Sequence, residues 1–446
     1  MQQSNAMKQI ATLALVLSAA ISVSARQWSL AECIDYALEN NITVRQSGLA
    51  VEQRSNDLNS AQSRRLPGVS AGASQNFSFG RGLTSQNTYE NTNTTNTSFS
   101  LGADVTIFQG FAIRNSIEMG KLDLAAATAD LEKARDDIRV AVAQAYVQIL
   151  YNKEIVQVAA NQISVDSMQV ERLTVMMQNG KASQAEVSAQ KASLAKSELS
   201  LTQARNNLNI SLLDLTQLLE LTSPDGFDIV QPDISLLNPD LLPVLTNPED
   251  IFSEAVVIKP LIRSEQIRLD HAEQNIKLAK GNYLPSLSMN AGLGSNYYTN
   301  SRGKSDGFGR QLGNNFSQYI GLSLNIPVFS RFSNRNGVRS AQIALMNQQL
   351  QLENARKSLY KEIQQAYYSA VAAESKYQSS VLAESSAREA FDITEAKYDE
   401  GKAGITEFNE AKSRWISSAS DLAQARYEYL YQTELLDFYR GEELNF

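Results

Sequence analysis

The sequence predicts a mainly α-helical protein with a small β part, in which long antiparallel coiled-coil helices join four transmembrane β-strands per chain. Three observations lead there. Two stretches of nearly 70 residues, Ile113 to Asn179 and Arg335 to Glu400, contain no proline. Four segments of about ten residues alternate apolar with small polar side chains. The chain also repeats itself. Ala37-Leu38 and Leu66-Pro67 return as Ala255-Val256 and Leu284-Pro285 at an offset of 218. Phe108, Ala145-Tyr146 and Gly180-Lys181-Ala182 return as Phe329, Ala366-Tyr367 and Gly401-Lys402-Ala403 at 221. A gap of three residues between Pro285 and Phe329 reconciles the two offsets.

Residues 1–25 read as a secretory signal peptide: Lys8 is followed by the apolar run Ile10 to Ile21 and by Val23-Ser24-Ala25, with cleavage expected after Ala25. The run is too short to cross a bilayer core of about 30 Å. Without Lys8 the mature chain carries 39 basic and 48 acidic residues. Cys33 does not follow the run directly, so it is a poor lipidation site and reads as a small buried residue of the first helix.

The first structural repeat is placed at 26–220 and the second at 247–446. A Pro/Asp-rich linker, 221–246, lies between them. Each repeat reads helix, two strands, very long helix, turn, helix. Ser29 with Glu32 forms a capping box that opens the first helix, and Asn247-Pro248 with Asp250 opens its counterpart. Both helices are expected to stop before Leu66-Pro67 and Leu284-Pro285, because proline disfavours a helical residue before it. Each proline-free stretch would make about 100 Å of helix at 1.5 Å per residue. Val142, Ile149, Val156, Ile163, Val170 and Met177 repeat every seventh position, which implies coiled-coil packing. Ile363, Ala370, Tyr377, Phe391 and Tyr398 fill the same slots in the second repeat, interrupted by Glu384. Heptads alone would favour an isolated hairpin bundle with a solvated outer face.

The strands argue otherwise. Val69, Ala71, Ala73, Phe77 and Phe79 face one way, and serine, glycine and asparagine the other. Phe99, Leu101, Ala103, Val105 and Ile107 form the next apolar set. The second repeat offers Leu287, Met289, Ala291 and Leu293, then Ile320, Leu322, Leu324, Ile326 and Val328. Such a face could pack on a helix or meet lipid. The helices are claimed by their own coiled coil, and Gly80 to Asn96 is a polar loop of the kind that caps a barrel. Val69, Phe77, Phe79, Phe99, Leu101, Val105, Leu287, Leu293, Ile320, Leu322 and Leu324 are therefore expected to face lipid. Four strands with open edges cannot stand in a bilayer, where every backbone N–H and C=O needs a partner. Several chains must share one barrel, and three would supply twelve strands above twelve helices.

Composition bounds the chemistry. The chain of 446 residues is 43% apolar, enough for a large core, and its net charge of −8 argues against a nucleic-acid partner. With Cys33 and His271 the only members of their kinds, no disulfide within one chain, no thiolate or imidazole metal cluster and no cofactor are expected. No nucleophile, base and metal set converges, so an enzyme is not expected. His271 reads as a helix-surface residue. Tyr297, Tyr298, Phe316 and Tyr319 read either as a membrane-boundary belt or as cross-strand packing.

The opener Ser29-Leu30-Ala31-Glu32-Cys33-Ile34 running into Ala37-Leu38 and Asn40-Asn41 resembles the start of a TolC-like outer membrane efflux protein. So do the Leu-Pro pairs before each first strand, the strand ends Ile107-Phe108 and Val328-Phe329, and the glycine turns between long helices. The resemblance covers the whole mature chain. It implies a homotrimer with a 12-strand β-barrel on a 12-helix α-barrel, set in the cell outer membrane of a Gram-negative-type bacterium and extending into the periplasm. It also implies a periplasmic adaptor (membrane fusion protein) and an inner-membrane transporter as partners. The function so implied is an outer-membrane exit duct of a tripartite efflux system, passing small molecules from periplasm to exterior, with the outer component of a type I protein secretion line as the alternative. A non-channel coiled-coil structural protein is the reading from another class.

Tyr398, three residues before Gly401, together with Glu407 and Glu410 resembles the family's periplasmic gate, in which an acidic pair faces the tunnel. Ala403 stands where the family often has a basic residue that locks the gate, and Lys402 is one position off. In the first repeat Met177 takes the tyrosine slot, Glu186 matches Glu407 and Ala189 replaces Glu410, which would make the second hairpin the gating one. The turns Gly180, Lys181, Ala182, Ser183 and Gly401, Lys402, Ala403, Gly404 suit adaptor docking, or merely supply a left-handed turn.

Overall fold

The computed structural model describes residues 27–83, 88–232, 242, 245–301 and 305–445. The signal peptide expected at 1–25, and most of the linker between 233 and 244, lie outside them. No described helix is long and apolar enough to cross a membrane. The chain divides into two compact units. One comprises Met1–Gly48, Asp130–Ile262 and Arg356–Phe446, the other Leu49–Ala129 and Arg263–Ala355.

In the first unit β1 (Gln27–Trp28), paired in parallel with β6 (Asp228–Ile229), leads into α1 (Leu30–Asn40). The capping box forms as expected: Glu32 N donates to Ser29 Oγ at 3.2 Å, and Ser29 N donates to Glu32 Oε2 at 2.9 Å. The helix does not run on to Leu66-Pro67. It breaks at Asn41, which leaves the helical region (φ −60°, ψ 131°), and its Oδ1 accepts from Thr43 N to open α2 (Ile42–Ser63). The second repeat breaks at the equivalent place, where Lys259 is extended before Pro260 and separates α5 (Pro248–Ile258) from α6 (Pro260–Gly281). The cap of α5 also differs from the reading: Asn247 Oδ1 accepts from Glu249 N, not from Asp250.

The proline-free stretches form α3 (Ala112–Gln178) and α8 (Ser333–Asp399), 67 residues each. Turns at Gly180 (φ 74°) and Gly401 (φ 72°) lead into α4 (Gln184–Leu218) and α9 (Ile405–Arg440). Left-handed backbone at both turns is why glycine recurs there. Val142 and Ile149 sit in the core with Tyr146, Leu150, Leu215 and Cys33. Burial pushes the Cys33 thiol up to about 12, with Glu32 adding to it, so the thiol is inert packing. Beyond Ile149 the expected heptad drifts off the core. Val156, Ile163 and Val170 are only half-buried, while Asn152, Ala159, Asp166 and Leu173 are buried at the same seven-residue spacing. Two of those four are polar, which hides the true seam from a search for apolar residues. Glu384, the apparent interruption in α8, accepts a hydrogen bond from Trp415 Nε1 at 3.0 Å.

In the second unit β2 (Gly68–Ser78), β5 (Thr94–Gln109), β7 (Ser286–Asn300) and β8 (Ser317–Asn325) form one antiparallel sheet in that order. β8 ends before Pro327, so Ile326 and Val328 fall outside it. Ile107 is the extra residue of a bulge between Thr106 and Phe108. The loop Gly80 to Asn96 is not wholly irregular: β3 (Arg81–Leu83) pairs with β4 (Tyr89–Asn91). After β7 comes a short helix, α7 (Phe308–Asn314), whose Phe308 ring meets Tyr297 at 5.1 Å and Phe99 at 6.4 Å.

Register carries the apolar pattern across all four strands. Val69 pairs with Ala103, Ala103 with Ala291, and Ala291 with Ile320. Val105, Met289 and Leu322 make the next such row, and Phe108, Leu287 and Leu324 the one after. The opposite face is lined by serine, glycine and asparagine. Tyr319 there lies so close over Gly292 that a Cβ would meet its ring at 2.5 Å. At the base of the sheet Gly110 and Gly281 touch backbone to backbone: a Cβ on Gly281 would meet the Gly110 carbonyl oxygen at 2.4 Å. His271, read as a surface residue, is half-buried with Nε2 3.4 Å from Asp123 Oδ1.

Candidate functional site

The helical tips hold the chemistry in the first unit. Tyr398 closes α8 and packs its ring 5.1 Å from Phe408, in a cluster with Phe391 and Ala411. Arg172 of α3 lies 5.0 Å over the Tyr398 ring and forms an ion pair with Asp399. Burial raises the pKa of Tyr398, partly offset by Arg172, so its hydroxyl stays protonated at neutral pH. The sequence reading assigned nothing to Arg172, because a single basic residue on a helix face carries no signal until its partner is known.

Glu407 and Glu410 of α9 are both exposed, whereas Phe408 and Ala411 are buried. Glu410 has Arg414 at 4.0 Å. The equivalent acid of the first repeat behaves differently for a local reason. Glu186 accepts hydrogen bonds from Ser183 N at 2.6 Å and from Ser183 Oγ at 2.9 Å, and these bonds hold its carboxyl below the usual range. In the second repeat Gly404 replaces that serine and offers no side-chain cap. Glu407, in the same third helical position, is thereby released from capping and points outward. Of the remaining turn residues, Lys402 pairs with Glu400 at 2.5 Å.

About three turns from the tips lies a buried polar node. Asp166 of α3 is fully buried and accepts from Gln190 Nε2 at 2.9 Å, from Ser197 Oγ at 2.5 Å, and from Lys412 of α9, itself buried. Lys412 Nζ also donates to Asn409 Oδ1 at 3.2 Å. The node joins α3 and α4 of one repeat to α9 of the other, and every charge in it is paired.

In the second unit α7 packs on the loop end of the sheet's apolar face, against Phe99, Ser295 and Tyr297, and most of the remaining apolar side chains are exposed. Val69 is 67% exposed, Ile320 79% and Leu322 68%, with Phe77, Phe79, Phe99, Leu101, Leu293 and Leu324 also exposed. Val105 and Leu287 are half-buried. Among the described residues β2 and β8 have no neighbour on their outer edges.

Comparison with known proteins fits this geometry. The family model for outer membrane efflux proteins matches residues 33–220 and 251–442, both repeats. The chain belongs to the outer membrane efflux protein family. This outer membrane efflux protein is 22% identical over 431 residues to the outer membrane protein TolC of Salmonella enteritidis, covering 95% of this chain and 84% of that one. It is 30% identical over 169 residues to TolC of Vibrio cholerae, where the alignment spans only 37% of each chain. An alignment with TolC of Escherichia coli spans 33% of that protein. Solved structures share the fold. The Campylobacter jejuni CmeC outer membrane channel superposes with a TM-score of 0.77 at 19% identity, covering 94% of this chain and 87% of that one. Vibrio cholerae VceC gives 0.75 at 18%, covering 93% and 96%. As an outer membrane efflux protein the chain is located in the outer membrane.

Proposed function

We propose that three copies of this chain form the exit duct of a tripartite efflux system, passing small molecules from the periplasm to the exterior. A periplasmic adaptor and an inner-membrane pump would complete the system. One observation carries the reading: a four-stranded sheet with a largely exposed apolar face and two open edges. In a bilayer each edge must find a strand. Three protomers close the edges β8 to β2 around an axis and give twelve strands, within the range of membrane barrels. The small-residue turns Gly180–Ser183 and Gly401–Gly404 are the surfaces offered to adaptor hairpins.

The gate is assigned to the second hairpin. Tyr398 anchors it to its own protomer, and Arg172 with Asp399 supplies the cross-repeat ion pair that Ala403 cannot make. Threefold symmetry brings Glu407 and Glu410 of each chain toward the axis, where six carboxylates favour cations. Sizing of detergent-extracted protein is expected to give a trimer, and a detergent-free monomer would remove the duct. In planar bilayers, Glu407→Gln with Glu410→Gln is expected to lower cation preference by severalfold. Ion selectivity equal to that of the wild type would strip the pair of its gating role.

A further inference from the structure

The four strands of the sheet all meet the helices at one end. Gly68 begins β2, Gln109 ends β5, Ser286 begins β7 and Asn325 ends β8; register places the last three ends together, while Gly68 pairs with Asp104, five residues up β5. The ten residues on the helical side of each end (58–67, 110–119, 276–285 and 326–335) hold seven Lys and Arg against one acid, Glu118. The chain as a whole is −8, so these forty residues carry +6 and the rest carries −14. Charge is thus segregated to the boundary below the apolar face.

The basic side chains are exposed. Arg114, Lys277 and Lys280 line one open groove of about 730 Å³, whose wall includes Phe111 and Leu284. Among the described residues these three have no ion-pair partner. Glu118, the one acid, is already engaged by Lys121 at 2.9 Å; that bond, and more weakly Arg114 and Arg65, hold its carboxyl below the usual range. Arg64 and Arg65 stand beside the start of β2, and Arg331 and Arg335 follow β8. At the same level Phe111, Phe329, Phe332 and Tyr283 are exposed; Phe111 forms a T-shaped pair with Phe108, and Phe329 one with Phe332. Basic side chains interleaved with exposed aromatics, next to an apolar band, are the composition of a membrane–water boundary.

We propose that this junction is a collar that binds the phosphate groups of anionic phospholipids in the leaflet facing the helices. The collar rests on the reading of the sheet as lipid-facing. It fixes how deep the barrel sits, because sliding the sheet along the membrane normal would pull the basic ring off the headgroups. Long Lys and Arg side chains can reach the phosphates from several residues below the strand ends.

The test uses the full-length protein reconstituted into vesicles of phosphatidylcholine alone and of equal parts phosphatidylcholine and phosphatidylglycerol. The wild type and an Arg114→Gln, Lys277→Gln, Lys280→Gln variant are then extracted, and native mass spectrometry counts the retained lipids. A basic residue near a charged surface is worth about fivefold in affinity. The wild type should therefore retain phosphatidylglycerol over phosphatidylcholine, and the variant should lose at least about tenfold of that preference. Equal retention by the wild type, or a variant with its preference intact, would overturn the collar. Displacement of phosphatidylglycerol by inorganic phosphate at matched concentration would overturn its assignment to lipid. A variant that falls apart into single chains while its lipid preference persists would move these residues to the contact between protomers. Failure of the wild type to insert into either vesicle would instead sink the lipid-facing sheet itself.

Discussion

Replacing Lys412 by methionine is expected to cost about 3–5 kcal/mol, the loss typical of a buried ion pair stripped of one partner. Asp166 has no access to solvent, and without Lys412 it keeps the hydrogen bonds from Gln190 and Ser197 but no compensating charge. Thermal unfolding of the detergent-solubilised protein measures the loss. The companion variant Lys412→Met with Asp166→Asn is expected to recover more than half of it. The amide oxygen still accepts from Gln190 and Ser197, and no charge remains to be paired. An Lys412→Met protein as stable as the wild type would mean that water reaches Asp166. The contrast with the tip is one of magnitude. Arg172 and Asp399 are partly exposed, and such pairs are worth about 0–1 kcal/mol. A contact that weak opens at little cost, whereas the node at Asp166 holds α9 in register against α3.

Much of this architecture was legible because period and punctuation are local. The ends of α3 and α8 fall within two residues of the expected ones, since proline, glycine and an apolar stripe mark them. The four strands were legible from alternation alone, which register then extended across the sheet. What sequence could not give were features decided by a partner far along the chain. The breaks at Asn41 and Lys259 occupy equivalent positions, but only the second is announced by a proline. The buried seam through Asn152, Ala159, Asp166 and Leu173 was hidden because two of its members are polar, and a polar residue in a core slot reads as surface until Lys412, more than 200 positions away, is placed beside it. Arg172 was missed for the same reason. The asymmetry between Glu186 and Glu407, in contrast, turns on one residue: a serine can close the capping box and Gly404 cannot.

Adjacent residues on one strand should respond in opposite ways to the same substitution. Val69 and Ser70 are neighbours on β2, and both are exposed in the single chain, so nothing within the protomer separates them. Lipid does. Val69 heads the apolar row that continues through Ala103 and Ala291 to Ile320, near the middle of the apolar band, whereas Ser70 pairs with Gly102 on the polar face. Val69→Arg is expected to cost about 2–4 kcal/mol, the penalty for arginine at the bilayer midplane, and to deplete folded protein from outer-membrane fractions. Ser70→Arg is expected to insert at wild-type yield and to shift ion preference toward anions, because its guanidinium would point into a water-filled lumen. Yield in membrane fractions and reversal potential in planar bilayers read the two arms separately. If both variants insert equally well and conduct alike, neither face of the sheet meets hydrocarbon. The open edges of β2 and β8 would then have to be closed by protein rather than by a barrel.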